Sequence, residues 1–411
     1  MKTEHIQKII DDLGHIRVSA TKEEKYTAEY LAEECRAMGL EARVETFEVP
    51  VTTIHEAHLY ADGKEVPCRG YELCGSGSVE APLVYLPAVD AAGLTKVKDK
   101  IVLIDTTVTY FAYHDLLDHG AVGIITYDGD VKYQDHDIDL RELRDYVCNG
   151  RKVLCVNINA KDAVELVKAL PVIRIEISQT EGKGYSYNTI AEIPGETDQW
   201  IAVSAHLDSR PTAPGVYDNL TGCIGVLSIL EKLKESAPNR YGIRACFVGS
   251  EERGLLGSKA YVRDHADELD KIIFNVNIDM IGAIMGRLMC ACSCEDAMVG
   301  YIRNYANDAG VSIQVMPRAI SSDSSAFADK GVPALSFGKM APRSQAVIHS
   351  RYDDGSTVSA KQIKEDAEFI SSVAKKLANA VVFPVRRVIP DKIKKQLDEY
   401  FSRKRKEENS L

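Results

Sequence analysis

Five short motifs in the 411-residue chain set imidazoles and carboxylates at places where they can meet a cation. His206 ends an apolar strand and is followed two residues later by Asp208, in Ser204-Ala205-His206-Leu207-Asp208-Ser209. An imidazole placed there reaches a ligand at the carboxyl edge of a sheet while the carboxylate orients its other nitrogen. Alone, such a pair serves equally as a structural one. Asp218, in Gly215-Val216-Tyr217-Asp218-Asn219-Leu220, stands immediately before an amphipathic helix, where an aspartate is also an ordinary N-cap. Glu251 and Glu252 come directly after a strand and its Gly249-Ser250 turn. Asp279 terminates the apolar run Ile272 to Ile278, where an unpaired carboxylate would cost several kcal/mol to bury. His349 follows Ala346-Val347-Ile348 and precedes Ser350-Arg351-Tyr352-Asp353. Together, two histidines and three or four acids at strand ends can converge on one crevice. Mixed imidazole and carboxylate ligation without cysteine suits zinc, and also accommodates cobalt or manganese.

The elements that must position these residues are legible as periodicities. Thr21 and Glu24 form a capping box, and Ala28, Leu31, Ala32, Cys35 and Met38 then recur at helical spacing, predicting a helix over about 22–38. Glu41 to Val49 alternates as a half-buried strand. From about Thr52 to Leu170 short β-rich runs, notably Lys100 to Asp105 and Ala121 to Tyr127, are separated by Gly, Asp and Asn. Beyond Pro171 strands alternate with helices: Ile201 to Ala205, a helix from about Leu220 to Lys234, Ile243 to Val248, and Ile272 to Asp279. This pattern predicts an α/β domain on a mixed, largely parallel sheet flanked by helices. The predicted division is residues 1–51 with 171–388 as the α/β domain, 52–170 as an inserted β-rich α+β domain, and 389–411 as a charged C-terminal helix.

Composition narrows the function. A net charge of −11 opposes nucleic-acid binding, which needs concentrated Lys and Arg. Met1 to His15 is interrupted by Lys8, Asp11 and Asp12, unlike a signal peptide, and no segment approaches the roughly 20 apolar residues of a membrane span. The ten cysteines are scattered and read as reduced thiols, so a cytoplasmic protein with no membrane association is expected.

With His206-x-Asp208, Asp218-Asn219, Glu251-Glu252, Asp279-Met280 and His349-Ser350 in that order, the sequence resembles the co-catalytic dizinc exopeptidases, which include bacterial and fungal aminopeptidases and glutamate carboxypeptidases. The resemblance covers about Tyr187 to Ala380 and the opening helices. It implies two zinc ions, with His206 and Asp279 on one, Glu252 and His349 on the other, and Asp218 bridging. It further implies Glu251 as general base, Asp208 as the partner of His206, a cis Asp218–Asn219 peptide and short peptides as substrate. The middle segment resembles the protease-associated domain, through Val97-Lys98-Asp99-Lys100-Ile101-Val102-Leu103-Ile104 and Gly120-Ala121-Val122-Gly123-Ile124-Ile125. As an inserted lid beside the active site, it would restrict access to short peptides.

Two departures bear on substrate handling. Ile348 stands where many relatives carry a tyrosine, and Ser321-Ser322-Asp323-Ser324 replaces Arg-Ser-Asp-His. An aminopeptidase is the leading expectation. A carboxypeptidase or amide deacylase would use the same ligands, with Arg318, Arg343 or Arg351 to pair a substrate carboxylate. A non-catalytic binding protein is the rival from another class. Asp135-His136-Asp137-Ile138-Asp139 reads as a solvated loop, and Cys290, Cys292 and Cys294 as one buried face of a strand. Homo-oligomerisation is left open.

Overall fold

The computed structural model describes residues 1–105, 108–131, 137–342 and 348–405. Asp135, His136, Arg343 and the last six residues of the charged C-terminal segment lie outside the described residues. Two units divide the chain: Met1–Val49 with Tyr185–Arg403, and Pro50–Gly184 with the segment from Lys404. The expected limits at 51 and 171 therefore shift to 49/50 and 184/185. The second limit was hidden because one continuous strand, Val172–Ile193, runs through it with no turn to mark a change.

The first unit begins with α1 (Thr3–Leu13), whose Ile6, Ile9 and Leu13 share a buried face, and α2 (Lys22–Ala37). The long strands β1 (Glu41–Ala61) and β2 (Val172–Ile193) lead out of the unit and back. Then follow β3 (Trp200–His206), α3 (Thr221–Glu235), β4 (Gly242–Val248), α4 (Leu256–Asp264) and β5 (Ile272–Ile278). The remainder comprises β6 (Arg287–Ser293), α5 (Asp296–Asp308), β7 (Ile313–Met316), α6 (Ser324–Asp329), β8 (Ala334–Met340), α7 (Ala360–Ala378) and α8 (Asp391–Tyr400).

In its sheet the strand order is β7-β6-β8-β5-β3-β4-β2. The central four, β8, β5, β3 and β4, are parallel, while β2 runs antiparallel to β4, β6 runs antiparallel to β8, and β7 is parallel to β6. Parallel strands with helices on both faces are buried twice over, which explains apolar runs such as Ile272-Ile273-Phe274 in place of clean alternation. Every residue of α3 from Thr221 to Leu230 is buried. This helix joins α1, α2 and α7 in one core over the sheet, and each fully buried Leu or Ile there contributes about 1.5–3 kcal/mol. Tyr261 of α4 and Phe327 of α6 build a second core with Ile190, Ala202, Cys246 and Val248. Helix α8 is shorter than the predicted charged segment and is packed, its Ile393 and Leu397 buried with Ala328 and Ile389.

The second unit has its own core. Its strands Gly77–Leu86, Ile101–Ile104, Gly123–Asp128 and Leu154–Asn159 are parallel, and Cys68–Gly70 is antiparallel to the last. Helices Tyr110–Asp118 and Ala160–Ala169 accompany the expected β-rich runs. Among the described residues no helix is long and apolar enough to cross a membrane.

Candidate metal centre

The parallel strands of the first unit deliver the predicted residues to one edge. His206 is the last residue of β3 and pairs in register with Val248 of β4, while Asp279 directly follows β5. Glu251 and Glu252 leave the turn after β4, Asp218 precedes α3, and His349 lies in the connection beyond β8. All of these positions belong to the carboxyl edge of the parallel strands, where α/β sheets place their ligands.

There the side chains form two groups that share Asp218. His206, Asp218 and Asp279 make one, and Asp218, Glu252 and His349 the other; within each, the ligand atoms lie within 4.8 Å of one another. His206 Nε2 is 3.1 Å from Asp218 Oδ1 and 3.7 Å from Asp279 Oδ1. His349 Nε2 is 3.3 Å from both Asp218 Oδ2 and Glu252 Oε2. The two oxygens of Asp218 thus face opposite imidazoles. The Asp218–Asn219 peptide is cis.

Supporting residues fix this arrangement from below. Asp208, fully buried, sits 3.5 Å from His206 Nδ1 and accepts the backbone N–H groups of Glu251 at 3.0 Å and Glu252 at 3.2 Å. One carboxylate therefore aims an imidazole and both glutamates. Asp353 accepts from Tyr217 N at 2.7 Å and Asp218 N at 3.0 Å. Asn219 bonds Ile278 O, Gly222 N and Met280 N, each at 2.9 Å, tying the Asp218 turn to the end of β5. Gly222 is required for that tie, since a Cβ there would lie 2.2 Å from Asn219 Oδ1 and 2.5 Å from Ile278 O. Ser322 donates to Asp279 Oδ2 at 2.7 Å, leaving Oδ1 turned toward His206. The buried Arg17 guanidinium binds the carbonyls of Leu207 and Gly215 and so joins the segments carrying His206 and Asp218.

Asp353, Ser322 and Arg17 went unrecognised in the sequence, because none belongs to a chemically suggestive spacing. Asp353 was visible only as a carboxylate four residues beyond His349. Ile348 offers a hydrocarbon side chain beside that histidine. Arg318 bonds Ala319 O, and Arg351 lies over the ring of Tyr352. The three cysteines Cys290, Cys292 and Cys294 are part of the apolar core.

The electrostatics show what the cluster demands. Burial works against a charge on His206, yet the neighbouring carboxylates of Asp208, Asp218 and Asp279 raise its pKa well above the ordinary value. For His349 burial is likewise outweighed, by Asp218 and Glu252, which push it up to about 11. Burial, helped by the like charges of Asp323, Glu252 and Asp279, raises Glu251 well above the carboxylate range despite His206. Among the described residues Asp279 Oδ1 is buried and has no hydrogen-bond partner. An orphaned carboxylate oxygen within a nitrogen and oxygen donor set, with one carboxylate common to two groups, fits a pair of divalent ions bridged by Asp218.

Residues 188–374, somewhat under half of the chain, match the model of Peptidase family M28. The Probable lipoprotein aminopeptidase LpqL of Mycobacterium tuberculosis is 26% identical over 294 residues, with 68% of this chain and 57% of the relative covered, so the chain spans little more than half of that relative's length. Aminopeptidase YwaD of Bacillus subtilis is 25% identical over 409 residues, covering 90% of this chain and 84% of the relative. The structure of BSAP, a zinc aminopeptidase from Bacillus subtilis, shares the fold with a TM-score of 0.74 at 23% identity, over 95% of this chain and 98% of that one.

Proposed function

We propose that the chain is a zinc-dependent exopeptidase acting on short peptides, and specifically an aminopeptidase with two zinc ions. The observation that carries this reading is the pair of ligand groups sharing Asp218 at the carboxyl edge of the sheet. His206 and Asp279 would hold one ion, Glu252 and His349 the other, with Asp218 common to both. Bound there, zinc would acidify water toward a pKa of about 7 and polarise the scissile carbonyl.

Glu251 is the group left to move protons. It follows the turn after β4, next to a ligand yet outside both ligand groups, and its carboxyl is close enough to His206 and Asp279 to feel their charges. During attack it would take a proton from water as the new C–O bond forms, then pass it to the amine nitrogen as the C–N bond breaks. Asp208 would hold Glu251 at the right height through its backbone N–H while keeping His206 oriented. Aminopeptidase is preferred because the relatives LpqL and YwaD carry that name. The second unit is proposed to be a protease-associated domain. Ten free cysteines suit a reducing compartment, and the cytoplasm is the proposed location.

The test is a panel of peptides offered to zinc-loaded protein. Peptides with a free α-amine should be cleaved one residue at a time, and their N-acetylated forms should resist. Preferential cleavage of the acetylated peptides at a free carboxyl end would instead make it a carboxypeptidase. Protein that takes up no zinc and cleaves neither set would be a binding protein.

A further inference from the structure

We infer that Glu24, on α2, is a positioning residue that holds the turn presenting Glu251 and Glu252, an inference resting on the hydrolytic reading above. In that turn Ser250 adopts φ 53°, the left-handed region that a serine occupies only where its surroundings impose it. A chain of buried hydroxyls supplies the constraint. Ser250 Oγ donates to Ser186 Oγ at 2.8 Å and also meets Ser19 Oγ. Ser186 Oγ donates onward to Glu24 Oε1 at 2.6 Å, and Glu24 Oε2 accepts Ala20 N at 2.7 Å.

The Glu24 carboxyl group also presses directly on the backbone. A Cβ built on Gly249 would lie 2.5 Å from Glu24 Oε1, so the turn closes against Glu24 only because residue 249 is glycine. Gly249 N is held by Asn188 Oδ1 at 3.1 Å. From the other direction Asp208 grips the N–H groups of Glu251 and Glu252. The two glutamates therefore leave a turn clamped between two buried acidic side chains, one of them contributed by a helix outside the matched residues 188–374.

Helix capping alone does not account for Glu24. Thr21 Oγ1 caps α2 by accepting Glu24 N at 3.3 Å, but the Glu24 side chain reaches past Thr21 toward Ala20 and Ser186. It is 0% exposed, and burial, followed by the like charge of Asp208, pushes its pKa up to about 8. Burying the carboxyl group has a desolvation cost, seen in that raised pKa. A cap contributes about 0.5–2 kcal/mol and is already supplied by Thr21 Oγ1, so it gives no reason to bury the Glu24 side chain.

The experiment compares full-length, zinc-loaded wild type with Glu24→Gln, whose amide replaces one acceptor oxygen by a donor facing the Ser186 hydroxyl or Ala20 N–H. Hydrogen exchange at Ser250, Glu251 and Glu252 should accelerate at least about 10-fold while α3 is unchanged, and kcat on leucine p-nitroanilide should fall about 10- to 100-fold with KM and zinc content retained. Thr21→Ala, which removes the cap without touching the turn, should lower Tm and leave kcat alone. If Glu24→Gln fails to fold, Ser19→Ala should show the same local acceleration and a smaller fall in kcat. Unchanged exchange at residues 250–252, or loosening spread equally through α3, would overturn the inference. A wild type that exchanges slowly at the turn but cleaves no peptide would count against the peptidase reading alone, since exchange requires no turnover.

Discussion

Glu251→Gln is expected to lower kcat by about 10²- to 10⁴-fold while leaving both metals bound, the range typical for loss of a general acid/base. Glu251 belongs to neither ligand group, and its backbone N–H remains on Asp208 whatever its side chain. Glutamine keeps the size and polarity of the residue but cannot accept and return a proton at neutral pH. The loss should therefore appear in kcat with little change in KM or in zinc per chain. Steady-state kinetics and metal analysis on the same preparation decide it. Near-normal turnover in the metal-replete variant would remove Glu251 from the mechanism.

Asp218→Ala should have the larger effect on the metals themselves. Among the described residues Asp218 alone is common to both groups, its Oδ1 facing His206 and its Oδ2 facing His349, so the variant leaves two of the named ligands on each side. Removing Asp279 would touch only the group containing His206. Titration with zinc in the presence of a competing chelator should then show both sites weakened, by more than the roughly 10- to 100-fold typical of losing a supporting partner. Asp279→Ala should weaken one site and spare the other. Equal, single-site losses in the two variants would contradict a shared ligand.

The residues of the site were legible because parallel strands end abruptly. In β3, β4 and β5 an apolar run stops at a residue that has no reason to be polar unless it serves the edge, and His206, Glu251, Glu252 and Asp279 all stand there or within a short turn of it. Asp218 was ambiguous, since its place before α3 equally suits a cap. What escaped was the support beneath. Asp353 works through two backbone N–H groups 135 and 136 residues away in sequence. Glu24 looked like half of a capping box because its spacing from Thr21 is that of one, and only the packing of β2 and the β4 turn around it turns the side chain inward. The limits of the second unit were blurred for a different reason: two strands continue without a turn through Pro50 and Gly184, where the unit changes.

Anomalous X-ray scattering from crystals grown with zinc, recorded on both sides of the zinc edge, tests the central claim most directly. Two peaks should appear, one among His206, Asp218 and Asp279 and the other among Asp218, Glu252 and His349, with Asp218 contributing one oxygen to each. A single peak, or zinc bound away from Asp218 with this cluster empty, would contradict the shared two-metal centre.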